Sequence, residues 1–248
     1  LLRLRHGPRP QGGVVPGVPY DSRADYLVAA CEASLRRLGT DHLDLFQVHR
    51  PDVLTHPAEV ARALETLVTS GKVRAVGVSN YSRTQVAALV AHLRIPLASI
   101  QPEFSPLALE ALADGTLDLA MQHRISVLAW SPLGRGVLTG KYRTGTPADS
   151  RAASPHLAGF VEVYLDPRSR QVVEAVSTAA EGLGVQPLEV ALAWVRDRPG
   201  VTAPVVGART AAQLRGVLAA EDLILPAEIR TALDEISVPP LGYPERLW

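Results

Sequence analysis

The sequence predicts an α/β protein of parallel strands, best fitted by a (β/α)₈ barrel, on three observations. Short apolar runs alternate with amphipathic helical stretches, the pattern of strand–helix units that share a parallel sheet. Three of the runs end on polar residues: residues 73–78 close on Ser79 and Asn80, 43–48 on His49, and 127–130 on Ser131-Pro132-Leu133-Gly134. Such strand ends are where a barrel keeps its working residues. The length, 248 residues, suits one barrel with a full core, and residues 1–248 read as a single domain without linker or repeat.

The elements follow in order. Residues 1–6 form a weak strand candidate, and 7–21 are Gly- and Pro-rich and read as a loop. Ser22 is placed as the N-cap of a helix reaching Leu38, with Asp25 in its first turn and Gly39 just past its end. Strand 43–49 comes next. Pro57 opens a helix whose Val60, Leu64, Leu67 and Val68 share one face, and Gly71 ends it. Strand 75–79 precedes a helix over 83–93 capped by the pair Ser82 and Gln85. Strand 97–102, a helix over 107–123 and strand 126–131 follow. Residues 140–167 lack a clear pattern, and loops of that length are usually functional or mobile. Helices over 168–183 and 187–197, strand 203–207 and helices over 210–220 and 226–236 complete the order.

Five clear strands and one weak one fall short of the eight in a closed barrel, so the expectation is a barrel lacking its first two βα units. The chain also opens on Leu1 and has a single methionine, Met121, which suggests processing or a fragment. A doubly wound open sheet is the structural alternative, weakened because no G-x-G-x-x-G follows a strand.

Composition narrows the function. Twenty-five basic residues balance 25 acidic ones and form no stripe or tail, which argues against nucleic acid or a membrane surface as partner. Cys31, the only cysteine, lies in an apolar helical pattern; it reads as core and fits a reducing cytoplasm. His42, His56, His92 and His123 fall in turns or at helix ends and read as surface, and no cluster has metal-ligand spacing.

The chemistry is expected at the strand ends. A neutral His49 imidazole could donate to a carbonyl oxygen and polarise it, or it could simply cap the barrel top. Ser79, Asn80 and Gln101 combine hydroxyl and carboxamide groups, and a carboxamide matches the planar donor–acceptor pair of a nicotinamide amide. Loop capping explains any one of them but is strained for all three. After the last two strands come Ser131-Pro132-Leu133-Gly134-Arg135-Gly136 and Val206-Gly207-Ala208-Arg209-Thr210, the second opening a helix. Loops in those places commonly bind phosphate, and Arg209 could clamp it bidentately. Lys141 could reach the same anion or be a solvated surface lysine.

These residues carry a resemblance. Ser34–Asp41, Leu43–Asp52, Gly71-Lys72-Val73-Arg74 with Gly77-Val78-Ser79-Asn80, Trp130–Gly134, and Gly207–Thr210 with Gln213-Leu214 are ordered and spaced as in the aldo-keto reductases, which the chain resembles from about residue 22 to 236. That family comprises NADP-dependent (β/α)₈-barrel enzymes. The resemblance implies that His49 orients a substrate carbonyl and that Ser79, Asn80 and Gln101 contact the nicotinamide amide. It implies that Trp130 stacks on the nicotinamide and that Ser131, Pro132, Leu133 and Gly134 hold the pyrophosphate. Lys141 would lie near the phosphates, and Gly207, Arg209 and Gln213 at the adenosine end with its 2′-phosphate.

The departures are specific. The family's tyrosine proton donor and its aspartate come from a βα unit ahead of Leu1, and the supporting lysine should end the strand at 1–6, where Arg5 or His6 stands. Arginine is not equivalent to lysine there. Tyr20 and Tyr26 stand in a different context, at the start of a helix. Gly216 and Val217 replace the Glu and Asn frequent after Gln213, thinning the adenine contacts. Three readings follow: an NADPH-dependent carbonyl reductase, impaired in this chain; a non-catalytic NADP-binding protein, as in family members that are channel subunits; and an inert fragment. The carbonyl substrate and oligomeric state are not legible.

Overall fold

The computed structural model describes residues 20–239. They form two compact units: residues up to Gln101 with Leu119–Ser126, and Pro102–Asp118 with Val127 onward. The strand expected at 1–6, with Arg5 and His6, lies outside the described residues.

The first unit alternates helix and strand: α1 (Ala24–Leu38), β1 (Leu43–Val48), α2 (Pro57–Thr69), β2 (Val73–Ser79), α3 (Arg83–Val90) and β3 (Leu97–Gln101). The strands are parallel, with Gln47 opposite Gly77, Gly77 opposite Ser99, and Ser79 opposite Gln101. Strands buried on both faces carry near-continuous apolar runs. Here Val76, Val78 and Ile100 are buried, as are Leu27, Cys31, Leu64, Leu67, Val86 and Leu89 from the helices. The Cys31 thiol is pushed up by burial, as suits a core residue.

Local chemistry sets the helix ends. Gly39 closes α1 at φ 67°, a conformation in which glycine carries no steric cost. Pro57 opens α2, and the His56 ring nitrogen Nδ1 accepts from the Ala58 amide. Ser82 and Gln85 cap α3 reciprocally. Ser22 is not the cap of α1. Arg23 holds that position without a side-chain bond, and the orphan Ala24 amide donates 3.0 Å to Glu59 Oε1 from α2. The Ser22 amide is committed to Asp52 Oδ2 instead.

The second unit holds α4 (Glu110–Ala113) and, after β4 (Ser126–Trp130), 3₁₀ turns at Gly134–Thr139 and Arg151–Ala153. Then come α6 (Ala158–Glu162), α7 (Pro167–Leu183), α8 (Pro187–Arg196), β5 (Ala203–Val205), α9 (Ala211–Ala219) and α10 (Ala227–Ser237). Between α4 and β4 runs α5 (Thr116–His123). The single helix expected over 107–123 is therefore two short ones, because Gly115 turns left-handed at φ 76°. α3 stops at Val90, and β5 is shorter than expected. β4 and β5 are parallel, with Leu128 opposite Ala203 and Trp130 opposite Val205. The core gathers Phe104, Val127, Leu138, Val172, Val176, Val190 and Trp194. Phe104 and Trp194 stack at 5.6 Å, and the indole N–H donates to Asp234.

Several apolar side chains of this unit stay uncovered among the described residues. α9 buries none of its side chains; Leu218 is 61% exposed and Ile224 82%. Leu214, Val205 and Val206 are also exposed, and β5 pairs only with β4 among the described residues. Open strand edges with apolar neighbours invite association. The protein is expected to self-associate with rising concentration, and Leu218→Glu with Ile224→Lys to shift it toward monomer in sedimentation velocity. A monodisperse wild-type monomer would count against this.

Candidate active site

In the first unit the three strand ends are tied together. Ser79 Oγ donates 2.7 Å to the Gln101 carbonyl, which also accepts from the Asn80 amide at 3.1 Å. Asn80 Nδ2 donates to the His49 carbonyl at 3.0 Å and to Ser79 Oγ at 2.9 Å. This geometry requires φ 59° at Asn80, a region asparagine tolerates better than most residues. His49, Ser79, Asn80 and Gln101 are thus brought together, with His49 exposed and Ser79 and Gln101 buried.

The side chains of Gln101, Gln47 and Ser99 form a part-buried chain. Gln101 Nε2 donates 3.0 Å to Gln47 Oε1, and Gln47 Nε2 donates 3.0 Å to Ser99 Oγ. Gln101 Oε1 is buried and has no partner. Sequence reasoning missed Gln47 and Ser99, although each stands two residues before a chosen residue and so on the same strand face. It also discounted Tyr20, whose ring meets His49 edge-on at 6.3 Å with the Arg50 guanidinium 5.6 Å from its centroid.

In the second unit, Trp130 ends β4 half-buried, and the loop after it turns left-handed repeatedly: Ser131 φ 56°, Gly134 53°, Arg135 59°, Gly136 96°. Ser131 Oγ accepts from the Arg135 amide at 2.7 Å, and Pro132 is buried with Leu133 leading into the 3₁₀ turn. A Cβ on Gly134 would come within 2.7 Å of Leu107, so glycine is required there for space as well as conformation. The Lys141 ammonium folds back over this loop, 3.3 Å from where a Gly136 Cβ would stand.

Arg135 organises the neighbourhood. Its Nε and Nη2 donate to the two Glu103 oxygens at 2.8 and 2.6 Å, and Nη1 to the Phe160 carbonyl at 2.7 Å. Its guanidinium lies 4.1 Å from the Phe160 ring centroid, 4.9 Å from Tyr164 and 5.8 Å from Trp130. Part of the expected 140–167 loop is therefore short helix, α6, pinned by a cation. Sequence reasoning missed Glu103 and Arg135, whose separation of 32 residues leaves no local signal.

After β5, Gly207 and Arg209 are exposed in an open turn. The Arg209 amide donates 2.8 Å to Gln213 Oε1, and its guanidinium donates 3.1 Å to the Asp149 carbonyl. Thr210 caps α9 by accepting from the Gln213 amide. Arg209 and Gln213 are brought together; Gly207 has nothing within 4 Å of a notional Cβ.

Two half-buried phenols are set against acid chemistry. Burial pushes Tyr81 up to about 12, and Tyr164, beside Glu103, well above the ordinary phenol range. No described group of His, Cys, Asp and Glu could hold a metal ion, and no described helix is long and apolar enough to cross a membrane. His56, His92 and His123 are exposed, and His42 is half-buried against Asp41.

Residues 13–238 match the sequence model of the aldo/keto reductase family. The chain is 42% identical over 204 residues to a 6-dehydroglucose reductase of Novosphingobium aromaticivorans, covering 82% of this chain and 60% of that protein. It is 35% identical over 206 residues to L-glyceraldehyde 3-phosphate reductase of Escherichia coli, covering 80% and 59%. A probable voltage-gated potassium channel subunit beta of Arabidopsis thaliana is 32% identical over 226 residues, 89% and 69%. The chain thus spans about three fifths of the 6-dehydroglucose reductase's length.

Proposed function

From the premise that the chain belongs to the aldo/keto reductase family and has its α/β, (β/α)₈-barrel fold class, we propose that it serves an NADPH-dependent oxidoreductase reducing aldehydes or ketones to alcohols. The observation that carries this reading is the buried, partnerless Oε1 of Gln101, a residue whose backbone carbonyl is bonded by Ser79 and Asn80. An unmet buried acceptor costs about 1–3 kcal/mol, and the N–H₂ of a nicotinamide amide would relieve it. Bound NADPH supplies the hydride. Ser79, Asn80 and Gln101 are assigned to its carboxamide, Trp130 to its ring, and Ser131, Pro132, Leu133, Gly134 and Lys141 to its pyrophosphate. Gly207, Arg209 and Gln213 are assigned to its adenosine end. His49 is assigned to the carbonyl oxygen, toward which an imidazole can donate.

The relatives' names put oxidised sugars and glyceraldehyde phosphates first among carbonyl substrates to try. The partner is then a small molecule, with no nucleic acid or membrane, and the sole, buried Cys31 supports a cytoplasmic setting. The match over 13–238 supports reading the chain as one family domain. NADPH fluorescence titration tests cofactor binding, and absence of binding would reject the proposal. The relative named as a channel subunit favours a second reading, in which NADP is held without turnover; a carbonyl panel with saturating NADPH separates the two.

Arg209 sets the expected cofactor preference. It is exposed at the mouth of α9, and a charge-assisted bond to a 2′-phosphate is worth about 1.5–3 kcal/mol. Arg209→Ala is expected to weaken NADPH about ten- to a hundredfold and leave NADH nearly unchanged. Equal losses in titration calorimetry would make Arg209 a structural residue.

A further inference from the structure

We propose that Gln47 is a positioning residue: it fixes which end of the Gln101 carboxamide is left for the cofactor, and so makes the site select a ring amide that donates. This rests on the NADPH reading above.

The three amide and hydroxyl groups form one chain between two strands, from Gln101 Nε2 to Gln47 Oε1 and from Gln47 Nε2 to Ser99 Oγ. Gln47 stands on β1 and Ser99 on β3, with Gly77 of β2 in register between them. They meet because Gly77 has no side chain. A Cβ there would come 2.3 Å from Ser99 Oγ, 2.7 Å from the Ser99 carbonyl and 3.1 Å from Gln47 Cγ. Gly77 is absent from the residues at positive φ, so close approach alone requires it.

A carboxamide presents an acceptor at one end and a donor at the other. Once Gln47 Oε1 accepts from Gln101 Nε2, the end left over is the acceptor, Oε1, which is unpartnered in a residue only 3% exposed. The two amides are set together: reversing Gln47 would reverse Gln101 and offer a donor instead. With Oε1 as the unpartnered end, Gln101 pairs with a carboxamide N–H₂ and has nothing to offer a ring substituent without one.

The variants Gln47→Met and Gln47→Glu separate this from a packing role. Methionine removes the acceptor at similar volume. Glutamate accepts only, so it can receive Gln101 Nε2 while Ser99 Oγ–H turns to donate to it. The probes are NADP⁺ and its 3-acetylpyridine analogue, in which a methyl group replaces the amide nitrogen. The expected result is a rise of about three- to tenfold in the NADP⁺ Kd of Gln47→Met. The Kd of the analogue should be unchanged, and Gln47→Glu should restore most of the lost discrimination. Equal losses for both ligands, no loss in Gln47→Met, or a Gln47→Glu as poor as Gln47→Met would overturn the proposal. Melting curves show whether each variant is folded, and a Gln47→Met too unstable to assay leaves Gln47→Glu to decide. Wild-type protein that binds neither ligand would overturn the NADPH reading itself, and this proposal with it.

Discussion

Glu103→Ala is expected to destabilise the protein by about 3–5 kcal/mol, the range for removing one partner from a buried ion pair. Glu103 and Arg135 are only 16% and 15% exposed, and their two-pronged contact matches guanidinium to carboxylate geometry. Without Glu103, the Arg135 charge stays among Trp130, Phe160 and Tyr164 with the Phe160 carbonyl as acceptor. The penalty comes from leaving the cation unpaired, because the intact pair itself balances attraction against desolvation. The double variant Glu103→Leu/Arg135→Met should accordingly be more stable than Glu103→Ala, which urea unfolding of the single and double variants measures. A loss below about 1 kcal/mol in Glu103→Ala would mean that the pair is screened like a surface salt bridge.

The same pair shows why part of the molecule was illegible. Strand–helix alternation, Gly39 at φ 67° and the Ser82–Gln85 caps are local features, encoded within a few residues and read correctly. That His49, Ser79 and Gln101 come together was legible because polar residues ending apolar strands are conspicuous. What failed was long-range. Ser22 looked like a cap because the acceptor that serves Ala24, Glu59, lies 35 residues on. Residues 140–167 looked unpatterned because α6 is five residues long and is fastened by Arg135, 25 residues before Phe160. Gln47 was legible in principle, by the two-residue period that puts it on the face of His49, yet its role depends on Gly77 and Ser99 lying in register.

Holding the cofactor and reducing a carbonyl are expected to come apart in the 248-residue protein. The residues assigned to NADPH are all among those described, and Kd values in the micromolar range or below should be measurable by fluorescence. Reduction needs in addition an acid that gives a proton to the carbonyl oxygen, and such an acid works best with a pKa near the working pH. Tyr81 at about 12, and Tyr164 higher, are unsuited. Tyr20 lies edge-on to His49 at 6.3 Å with the Arg50 guanidinium 5.6 Å from its ring centroid, and it stands at the start of a helix, a context different from that of the family's tyrosine. General acid catalysis is worth about 10²–10⁴-fold, so turnover should fall short of a competent reductase by that order. His49→Ala should then change the residual rate by less than about threefold, since orienting a carbonyl accelerates reduction only when a donor completes the transfer. Single-turnover oxidation of bound NADPH by a reactive aldehyde measures both rates. Fast oxidation in the wild type with a hundredfold loss in Tyr20→Phe would reverse the conclusion, and would make Tyr20 the proton donor with His49 beside it.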